Sequence, residues 1–185
     1  MFKYIYYDMP VRLEARVVQR IRWLVIVLLL APLLALAAGP DVPLKGFDGK
    51  DHNVNEYVGH GKWTIVVVWS KDCPICKRDI YHMTFFYDAH RKKDATVLGL
   101  SIDGYANRAA AQGFIDDQSL NFPNLIGDPD DPSRISGTAF IGTPTYYFFS
   151  PDGEFMTQRI GPVTQEQAEA VIHGLEKRSQ AQRKI

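Results

Sequence analysis

Short apolar runs alternate with longer segments of helical periodicity along most of the chain. Two runs, 64–69 and 95–102, are almost wholly apolar and contain several β-branched residues, a composition typical of strands buried on both faces. A third run, 145–149, also predicts a strand. Between the first two runs, apolar and aromatic residues recur at helical spacing over 74–93, which predicts a helix.

Weaker sequence patterns predict further elements outside these apolar runs. The alanine-rich segment 106–118 predicts a second helix, and residues 121–125 predict a short strand. The aspartate- and proline-rich loop that follows can open a short helix at Ser133. Nearer the amino terminus, residues 48–49 (Asp-Gly) are typical of a hairpin turn.

The carboxyl-terminal part predicts a β-hairpin followed by one helix. A Pro-Asp-Gly turn at 151–153 separates the third strand from a further strand at 154–160. Thr164 and Gln167 have the spacing of a capping box, so a terminal helix is expected from there to about Arg178.

This order of elements predicts the fold class. Strand–helix–strand, then a helix, a hairpin and a last helix describe a three-layer α/β domain with a central mixed β-sheet flanked by helices. We expect the domain to occupy residues 39–178, after a Gly-Pro boundary, with a polar tail at 179–185.

The amino-terminal segment has a different character. Residues 23–38 carry no charge, and basic residues precede them, the orientation expected when the remainder of the chain is exported. Sixteen apolar residues fall short of the roughly 20 that cross a bilayer comfortably, while residues 35–37 (Ala-Leu-Ala) fit a signal-cleavage site. We therefore predict that 1–38 is a signal peptide or membrane anchor and that the domain is periplasmic or otherwise extracytoplasmic, secreted or tethered through 23–38. A buried core helix is the alternative.

Composition and charge exclude several classes of protein. The chain has 185 residues, 46% of them hydrophobic, and 21 basic groups balance 21 acidic ones. These values argue against a disordered or collagen-like chain. No basic stripe of the kind that binds nucleic acid is visible, so we expect no nucleic-acid partner.

The candidate chemistry lies in the two cysteines of the chain, Cys73 and Cys76. They directly follow a predicted buried strand and open a predicted helix, where unpaired N–H groups and the helix dipole favour a thiolate on the first cysteine. Pro74 suits the first helical turn because its missing N–H is not needed there. We expect Cys73 to be the exposed nucleophile and Cys76 the more buried thiol that resolves the mixed disulfide.

Two other interpretations of the cysteine pair stay open. A zinc site would need further ligands from the five histidines, and neither His82 nor His90, on the same predicted helix, naturally completes a tetrahedron. A purely structural disulfide is common in exported proteins, but closing a loop of two intervening residues constrains the unfolded chain little. Redox chemistry is the interpretation that we favour, and we predict no metal.

The segment 66–79, together with residues 142–145 (Gly-Thr-Pro-Thr), resembles the thioredoxin fold. Within that fold the sequence is similar to the TlpA/ResA group of exported thiol-disulfide oxidoreductases. The resemblance covers roughly 41–177 and includes Trp69, four residues before the first cysteine. A C-x-x-C motif joined to a preceding strand, a following helix and a distant Thr-Pro is far more specific than the motif alone.

The resemblance implies roles for further residues. Pro144 would be a cis-proline facing the disulfide, leaving the Thr143 backbone able to pair with a substrate strand. Gly142 would keep that approach open, and an exposed Trp69 could help to receive a partner. Asp79 occupies the position of a family acid, on the same helix face as Cys76, where it could exchange a proton with the buried thiol through water. The alternative for Asp79 is a solvated helix residue.

Three positions depart from the family pattern. Asp72 stands where the family most often has tryptophan, and its charge should raise the pKa of the Cys73 thiol, with Lys71 partly offsetting it. Ile75 offers no hydrogen bond to a thiolate, and Tyr81 replaces a frequent proline. Asp72 and Ile75 together predict a reducing pair, with a potential nearer that of thioredoxin than that of a strong oxidant.

The resemblance implies an extracytoplasmic disulfide reductase that needs no cofactor besides its own redox-active disulfide. Its partners would be protein disulfides, such as those of an apocytochrome c or a copper-site protein, and a membrane electron donor. A thiol peroxidase of the same fold and a copper chaperone using Cys73, Cys76 and a histidine, for which His82 is the one to test, are the alternatives. The aromatic residues of the third strand, Tyr146 among them, are expected to be core residues.

Overall fold

The computed structural model of the chain describes residues 39–182; the predicted signal or anchor segment 1–38 lies outside them. Seven strands are described: β1 (Pro43–Gly46), β2 (Asp51–Asn53), β3 (Trp63–Trp69), β4 (Ala95–Ser101), β5 (Asn124–Ile126), β6 (Thr145–Phe149) and β7 (Phe155–Ile160). The α-helices of the same part of the chain are α1 (Pro74–Asp79), α2 (Tyr81–His90), α3 (Arg108–Asp117), α4 (Asp131–Ser136) and α5 (Gln165–Gln182). None of these helices combines the length and apolar character that a membrane crossing requires.

The seven described strands form one mixed sheet in the order β2-β1-β5-β4-β3-β6-β7. Strand β3 is parallel to β4, and β4 is parallel to β5. The other neighbours are antiparallel. A mixed sheet with helices on its faces confirms the predicted fold class.

Alternate residues of β3 supply the two halves of the core, as expected for a strand buried on both faces. Ile65 and Val67 lie in a cluster with apolar residues of α1, α2, α3 and α5. Val66 and Val68 lie in a second cluster, with Ile135 of α4. Helices therefore cover both faces of the sheet, which makes three layers.

The predicted helix over 74–93 is divided into α1 and α2 at Ile80. This residue keeps helical dihedral angles, φ −63° and ψ −22°, but the Met83 amide donates to the Ile80 carbonyl, three residues back, at 2.9 Å. A tightened turn of this kind separates the two helices without exposing Ile80, which is fully buried. The second helix ends at His90 rather than at about residue 93.

Two further boundaries differ from the sequence prediction. The terminal helix α5 continues through Gln182, into the segment that we expected to be a polar tail. Residues 48–49 do lie in a turn between two strands, as predicted, but β1 itself was not predicted. Its four residues, Pro-Leu-Lys-Gly, carry little strand signal. β1 pairs with β2 across the turn and also with β5, about 80 residues later.

Candidate active site

A disulfide joins Cys73 and Cys76 just beyond the end of β3, with 5.2 Å between the two Cα atoms. Cys73 is the N-cap residue of α1, and its Sγ accepts a hydrogen bond from the Cys76 amide at 3.0 Å. Pro74 occupies the first helical turn. Cys73 keeps 8% of its surface exposed, whereas Cys76 is fully buried, so an incoming group can reach the bond only from the Cys73 side.

Asp103 fixes the loop that leads into the first cysteine. Its carboxylate accepts hydrogen bonds from the Ser70 hydroxyl at 2.7 Å, the Lys71 amide at 3.0 Å and the Ser101 hydroxyl at 2.7 Å. Ser70 follows β3 and Ser101 ends β4, so the carboxylate ties together the carboxyl ends of two parallel strands. Asp103 is not among the site residues predicted from the sequence, although polar residues at the ends of adjacent parallel strands are a signal that could have found it.

The segment around Pro144 lies at the end of the sheet where β3 ends and the Cys73 loop begins. Val68, near the end of β3, is the antiparallel partner of Thr145, the first residue of β6, so the residues preceding β6 adjoin the loop that carries Cys73. The Thr143–Pro144 peptide bond is cis, the isomer that the resemblance implies.

The backbone of Thr143 is available to a partner. Thr143 is half-buried, and within residues 39–182 no protein group hydrogen bonds to its amide or carbonyl. The Pro144 carbonyl, by contrast, accepts from the Gly161 amide at 2.9 Å. A Cβ added at Gly142 would meet no atom within 4 Å, so there is free space beside the residue that precedes Thr143.

Exposed isoleucines surround this edge. Ile75, between the two cysteines, is 36% exposed, and Ile141, two residues before Thr143, is 75% exposed. Ile160 is 50% exposed and pairs with Thr145 in the sheet. Of these exposed apolar side chains, Ile75 is the one that lies within the cysteine motif.

The prediction that Trp69 is an exposed residue that receives a partner is wrong. Trp69 is fully buried, its ring stacks on Phe114 with centroids 4.6 Å apart, and its Nε1–H donates to the Asn124 side-chain oxygen at 3.1 Å. As the last residue of β3, Trp69 points into the core face that holds both cysteines. A fully buried Trp69 has no surface to offer to a substrate.

Asp79 is the last residue of α1, and its side chain is half-buried. The Arg78 guanidinium donates to both of its carboxylate oxygens at 2.8–3.1 Å, and these hydrogen bonds lower the pKa of Asp79 below its ordinary value. The side chain is therefore a carboxylate at neutral pH, able to accept a proton. Whether this carboxylate exchanges a proton with the Cys76 thiol stays a prediction.

Asp72 forms an exposed ion pair with its neighbour Lys71. The hydrogen bond between them lowers the pKa of Asp72 and raises that of Lys71. The negative charge beside Cys73 thus has a positive counterpart one residue away, as expected from the sequence. Its effect on the Cys73 thiol stays a prediction.

The histidines considered as metal ligands have other contacts. The His82 ring lies 4.2 Å from that of Tyr81, and His90 hydrogen bonds to Asp94 and Glu169. Within the described residues, no three His, Cys, Asp or Glu side chains are grouped closely enough to hold a metal ion.

Comparisons with known proteins agree with this geometry. The profile of the AhpC/TSA family matches residues 37–156. Sporulation thiol-disulfide oxidoreductase A of Bacillus subtilis is 27% identical over 133 residues, which is 69% of this chain and 78% of that protein. Thiol-disulfide oxidoreductase ResA of Bacillus thuringiensis is 26% identical over 134 residues, covering 72% of this chain and 73% of the relative.

A solved structure gives the same result in three dimensions. The crystal structure of StoA from Bacillus subtilis superimposes with a TM-score of 0.57 at 25% identity, over 72% of this chain and 97% of that one. The family profile covers well over half of the sequence, and the disulfide lies where a thioredoxin-like enzyme needs it. The chain therefore belongs to the AhpC/TSA family, as a thioredoxin-like thiol-disulfide oxidoreductase of the ResA and StoA type.

Proposed function

We propose that the protein reduces disulfides of other proteins outside the cytoplasm. The observation that carries the proposal is the disulfide that can be reached only through Cys73, at a sheet edge where the Thr143 backbone has no partner among residues 39–182. Cys73 supplies the reactive sulfur, and the neighbouring Thr143 backbone supplies hydrogen-bonding groups for an extended chain of the partner.

The exchange proceeds in two balanced steps. The Cys73 thiolate attacks one sulfur of the partner's disulfide, forming a mixed disulfide and releasing the other partner sulfur as a thiolate. The Cys76 thiolate then attacks the Cys73 sulfur, which forms the Cys73–Cys76 disulfide and releases the second partner thiol. Two electrons and two protons pass in total from the cysteine pair to the partner.

Docking would use the backbone of Thr143. An extended segment of the partner can hydrogen bond to its amide and carbonyl as an added strand does. Apolar side chains flanking the partner's cysteine would lie on Ile75, Ile141 and Ile160. The absence of a side chain at Gly142 leaves room for the segment.

The reducing direction is supported by the surroundings of Cys73. Asp72 disfavours a thiolate on its neighbour, and the exposed Ile75 offers no hydrogen bond that would stabilise one. A dithiol that gains little from its thiolate gives up electrons readily, and the disulfide is the relatively stable form. We propose that a membrane-bound donor restores the dithiol after each cycle.

The location and the substrates follow from the amino-terminal pattern. Residues 1–38 have the basic and apolar order of a signal peptide or anchor, so the domain would act on exported proteins, either released or tethered. Exported proteins that must keep a cysteine pair reduced, such as an apocytochrome c or a copper-site protein, are the substrate class that we propose.

Asp79 would act on the buried thiol. It lies three residues after Cys76, on the same side of α1, and its lowered pKa keeps it ionised. Through a water molecule, the carboxylate can accept the proton that Cys76 must lose before it attacks the mixed disulfide.

Trapping the mixed disulfide tests the proposal. In the full chain with Cys76→Ser, Cys73 should form a stable covalent adduct with a disulfide-containing protein such as insulin. The wild type should reduce insulin catalytically, and Cys73→Ser should do neither. Adducts that form in the Cys73→Ser variant and not in the Cys76→Ser variant would overturn the assigned roles.

The two alternative functions are decided by parallel assays. Peroxide consumption that exceeds insulin reduction would identify a thiol peroxidase. Stoichiometric Cu(I) binding that is lost on His82→Ala, with no insulin reduction by the wild type, would identify a copper-binding module.

A further inference from the structure

The hydroxyl of Thr145, the first residue of β6, donates a hydrogen bond to the Gly142 carbonyl oxygen at 2.6 Å. Thr145 is 1% exposed, and its backbone lies between two neighbouring strands, opposite Val68 of β3 and Ile160 of β7. Its side chain is also restricted about χ1, because the Cβ atom is branched. The sheet therefore holds this donor in place, and the donor acts on the segment that we propose for docking.

This hydrogen bond sets the direction of the Thr143 amide. The Gly142 carbonyl and the Thr143 N–H belong to one peptide unit, and the bond between these two residues is trans. In a planar trans peptide the C=O and the N–H point in opposite directions. Because the carbonyl is held toward the buried side chain of Thr145, the Thr143 N–H points away from that side chain.

The other end of the same peptide unit is free. The Thr143 N–H donates to no protein group within residues 39–182, whereas the nearby Pro144 carbonyl accepts from the Gly161 amide. A buried backbone N–H almost always has a partner, so an N–H without one, on a partly exposed residue, is expected to face solvent. The unit is thus held through its carbonyl, and its free end is the donor that an added strand would use.

We propose that Thr145 is a positioning residue for partner docking: its hydroxyl holds the Gly142–Thr143 peptide so that the Thr143 N–H is presented to an extended segment of the partner. The inference rests on the proposed function, because it assumes that partners pair with the Thr143 backbone. Without the hydroxyl the peptide unit is free to rotate, and ordering it on binding then costs affinity. The sulfur chemistry does not involve Thr145, so the binding step alone should suffer.

Thr145→Val tests this role, because it removes the donor and keeps the branched shape of the side chain. In the full chain, with dithiothreitol as reductant, the KM for insulin should rise about threefold to tenfold, as expected for one lost hydrogen bond. The kcat should stay unchanged. Cystine has no extended chain to dock, and its reduction should also stay unchanged. Thr145→Ser restores the hydroxyl and should restore the KM.

Thr64→Val is the matched control at the opposite end of the sheet. Thr64 is also 1% exposed, and its hydroxyl donates to the Tyr57 carbonyl at 3.3 Å. It lies on β3 opposite Phe149, the last residue of β6. The control variant loses the same kind of hydrogen bond, so it should lower the urea midpoint of unfolding as Thr145→Val does. It should leave the KM for insulin unchanged.

A second measurement follows the Thr143 amide without turnover. In the full chain with Cys76→Ser, the Cys73 thiolate displaces the leaving thiolate of a short apolar peptide whose cysteine is activated as a mixed disulfide, so that one disulfide replaces another. In this adduct the Thr143 amide should exchange with deuterium about fivefold to tenfold more slowly than in the free protein. Thr145→Val should remove most of that protection, and Thr64→Val should retain it.

Several results would overturn the inference. These are an unchanged KM for insulin in Thr145→Val, an equal rise in Thr64→Val, and protection of the Thr143 amide that survives in the Thr145→Val adduct. A rise in KM that Thr145→Ser does not reverse would also overturn it, since it would reveal a packing effect and not a lost donor. The proposed function fails separately: a wild type that does not reduce insulin defeats the reductase, while exchange of the Thr143 amide in the adduct still decides the role of Thr145.

Discussion

The immediate surroundings of Cys73 set the reactivity of the site. The first turn of α1 favours a thiolate, since the Cys76 amide already donates to the Cys73 sulfur. We expect Asp72 to act in the opposite sense, and its ion pair with Lys71 to reduce that influence without removing it. Exposed charges change the pKa of a neighbouring thiol only modestly. We therefore expect Asp72 and Lys71 to adjust the reactivity of Cys73 and not to decide whether it reacts.

Replacing Asp72 tests this balance. Asp72→Asn removes the negative charge and leaves Lys71 unpaired, so the Cys73 thiol pKa should fall and the potential of the pair should rise. In a Cys76→Ser background, alkylation of Cys73 at pH 7 should be about twofold to fivefold faster. Asp88→Asn, an exposed change on α2, is the control. A slower alkylation in the Asp72 variant would contradict this assignment.

Removing Asp103 tests the support of the loop before Cys73. Asp103→Ala leaves the Ser70 hydroxyl, the Lys71 amide and the Ser101 hydroxyl without their acceptor. Unfolding of the oxidised protein in urea should show a loss of about 1–3 kcal/mol, and insulin reduction should slow.

Asp117→Ala, an exposed change at the end of α3, serves as the comparison for Asp103. It should change stability by less than about 0.5 kcal/mol. Equal stability losses in the two variants would show that the loop does not depend on the Asp103 carboxylate.

His90, the last residue of α2, connects this helix to two neighbouring elements. The His90 ring hydrogen bonds to Asp94 at 2.9 Å, just before β4, and to Glu169 of α5 at 3.1 Å. It also stacks on Phe86, with ring centroids 4.4 Å apart. A protonated imidazole donates to both carboxylates at once, so this contact joins three elements of the core face that holds the cysteines.

The His90 contact predicts a pH dependence of stability. Burial is the largest influence and lowers the pKa of His90, but the hydrogen bonds to Asp94 and Glu169 together outweigh it and raise the pKa above the usual value. The stabilisation is therefore complete below about pH 6.5, the unfolded value, and is lost as pH rises through the raised folded pKa.

Urea unfolding at pH 6 and pH 9 measures this effect. The difference in unfolding free energy between the wild type and His90→Gln should be larger at pH 6. His60→Gln, whose ring contacts the Asn55 carbonyl and not a carboxylate, should show no such change. A His90 difference that grows toward pH 9 would refute the assignment.

The elements that local pattern determines were predictable. Strands β3, β4 and β6 lie where the apolar runs predicted them, and the capping box marks the start of α5. The short strand β1 was not predicted although the turn after it was, because its Pro-Leu-Lys-Gly sequence has little strand propensity. The division at Ile80 also escaped prediction, since the apolar spacing continues through it.

The site was predictable to a similar extent. The cysteine pair could be assigned from the residues, and the cis-proline could be assigned from the resemblance. The burial of Trp69 could not be predicted, because it depends on Asn124 and Phe114, both of which belong to elements much later in the chain. The support from Asp103 was missed because a single aspartate after a strand resembles any surface turn.

For the molecule as a whole, the disulfide and the segment proposed to dock a partner lie at one end of the sheet. The end of β3, the start of α1 and the start of β6 meet there through the pairing of Val68 with Thr145. A partner must approach this edge to reach the disulfide, and Gly142 leaves the space open.

Filling that space should block docking without harming the fold. A Cβ at Gly142 would meet nothing within 4 Å, so Gly142→Leu should unfold within about 0.5 kcal/mol of the wild type. Insulin reduction should fall by about tenfold, equivalent to ~1.4 kcal/mol of lost docking energy. Reduction of a small disulfide such as cystine should change less.

Gly113→Leu is the matched control, because Gly113 on α3 is equally open. Helix propensity predicts equal or slightly greater stability for this variant, with normal insulin reduction. Unchanged insulin reduction in the Gly142 variant would show that partners do not pass over this segment.

The reduction potential of the Cys73–Cys76 pair tests the central claim most directly. The full chain is equilibrated in graded thiol–disulfide buffers, and the two cysteines are counted by alkylation. A reductase requires a potential near that of thioredoxin, roughly −270 mV, and our account predicts such a value. A potential near that of a strong oxidant, about −120 mV, would contradict it and identify the protein as a donor of disulfides.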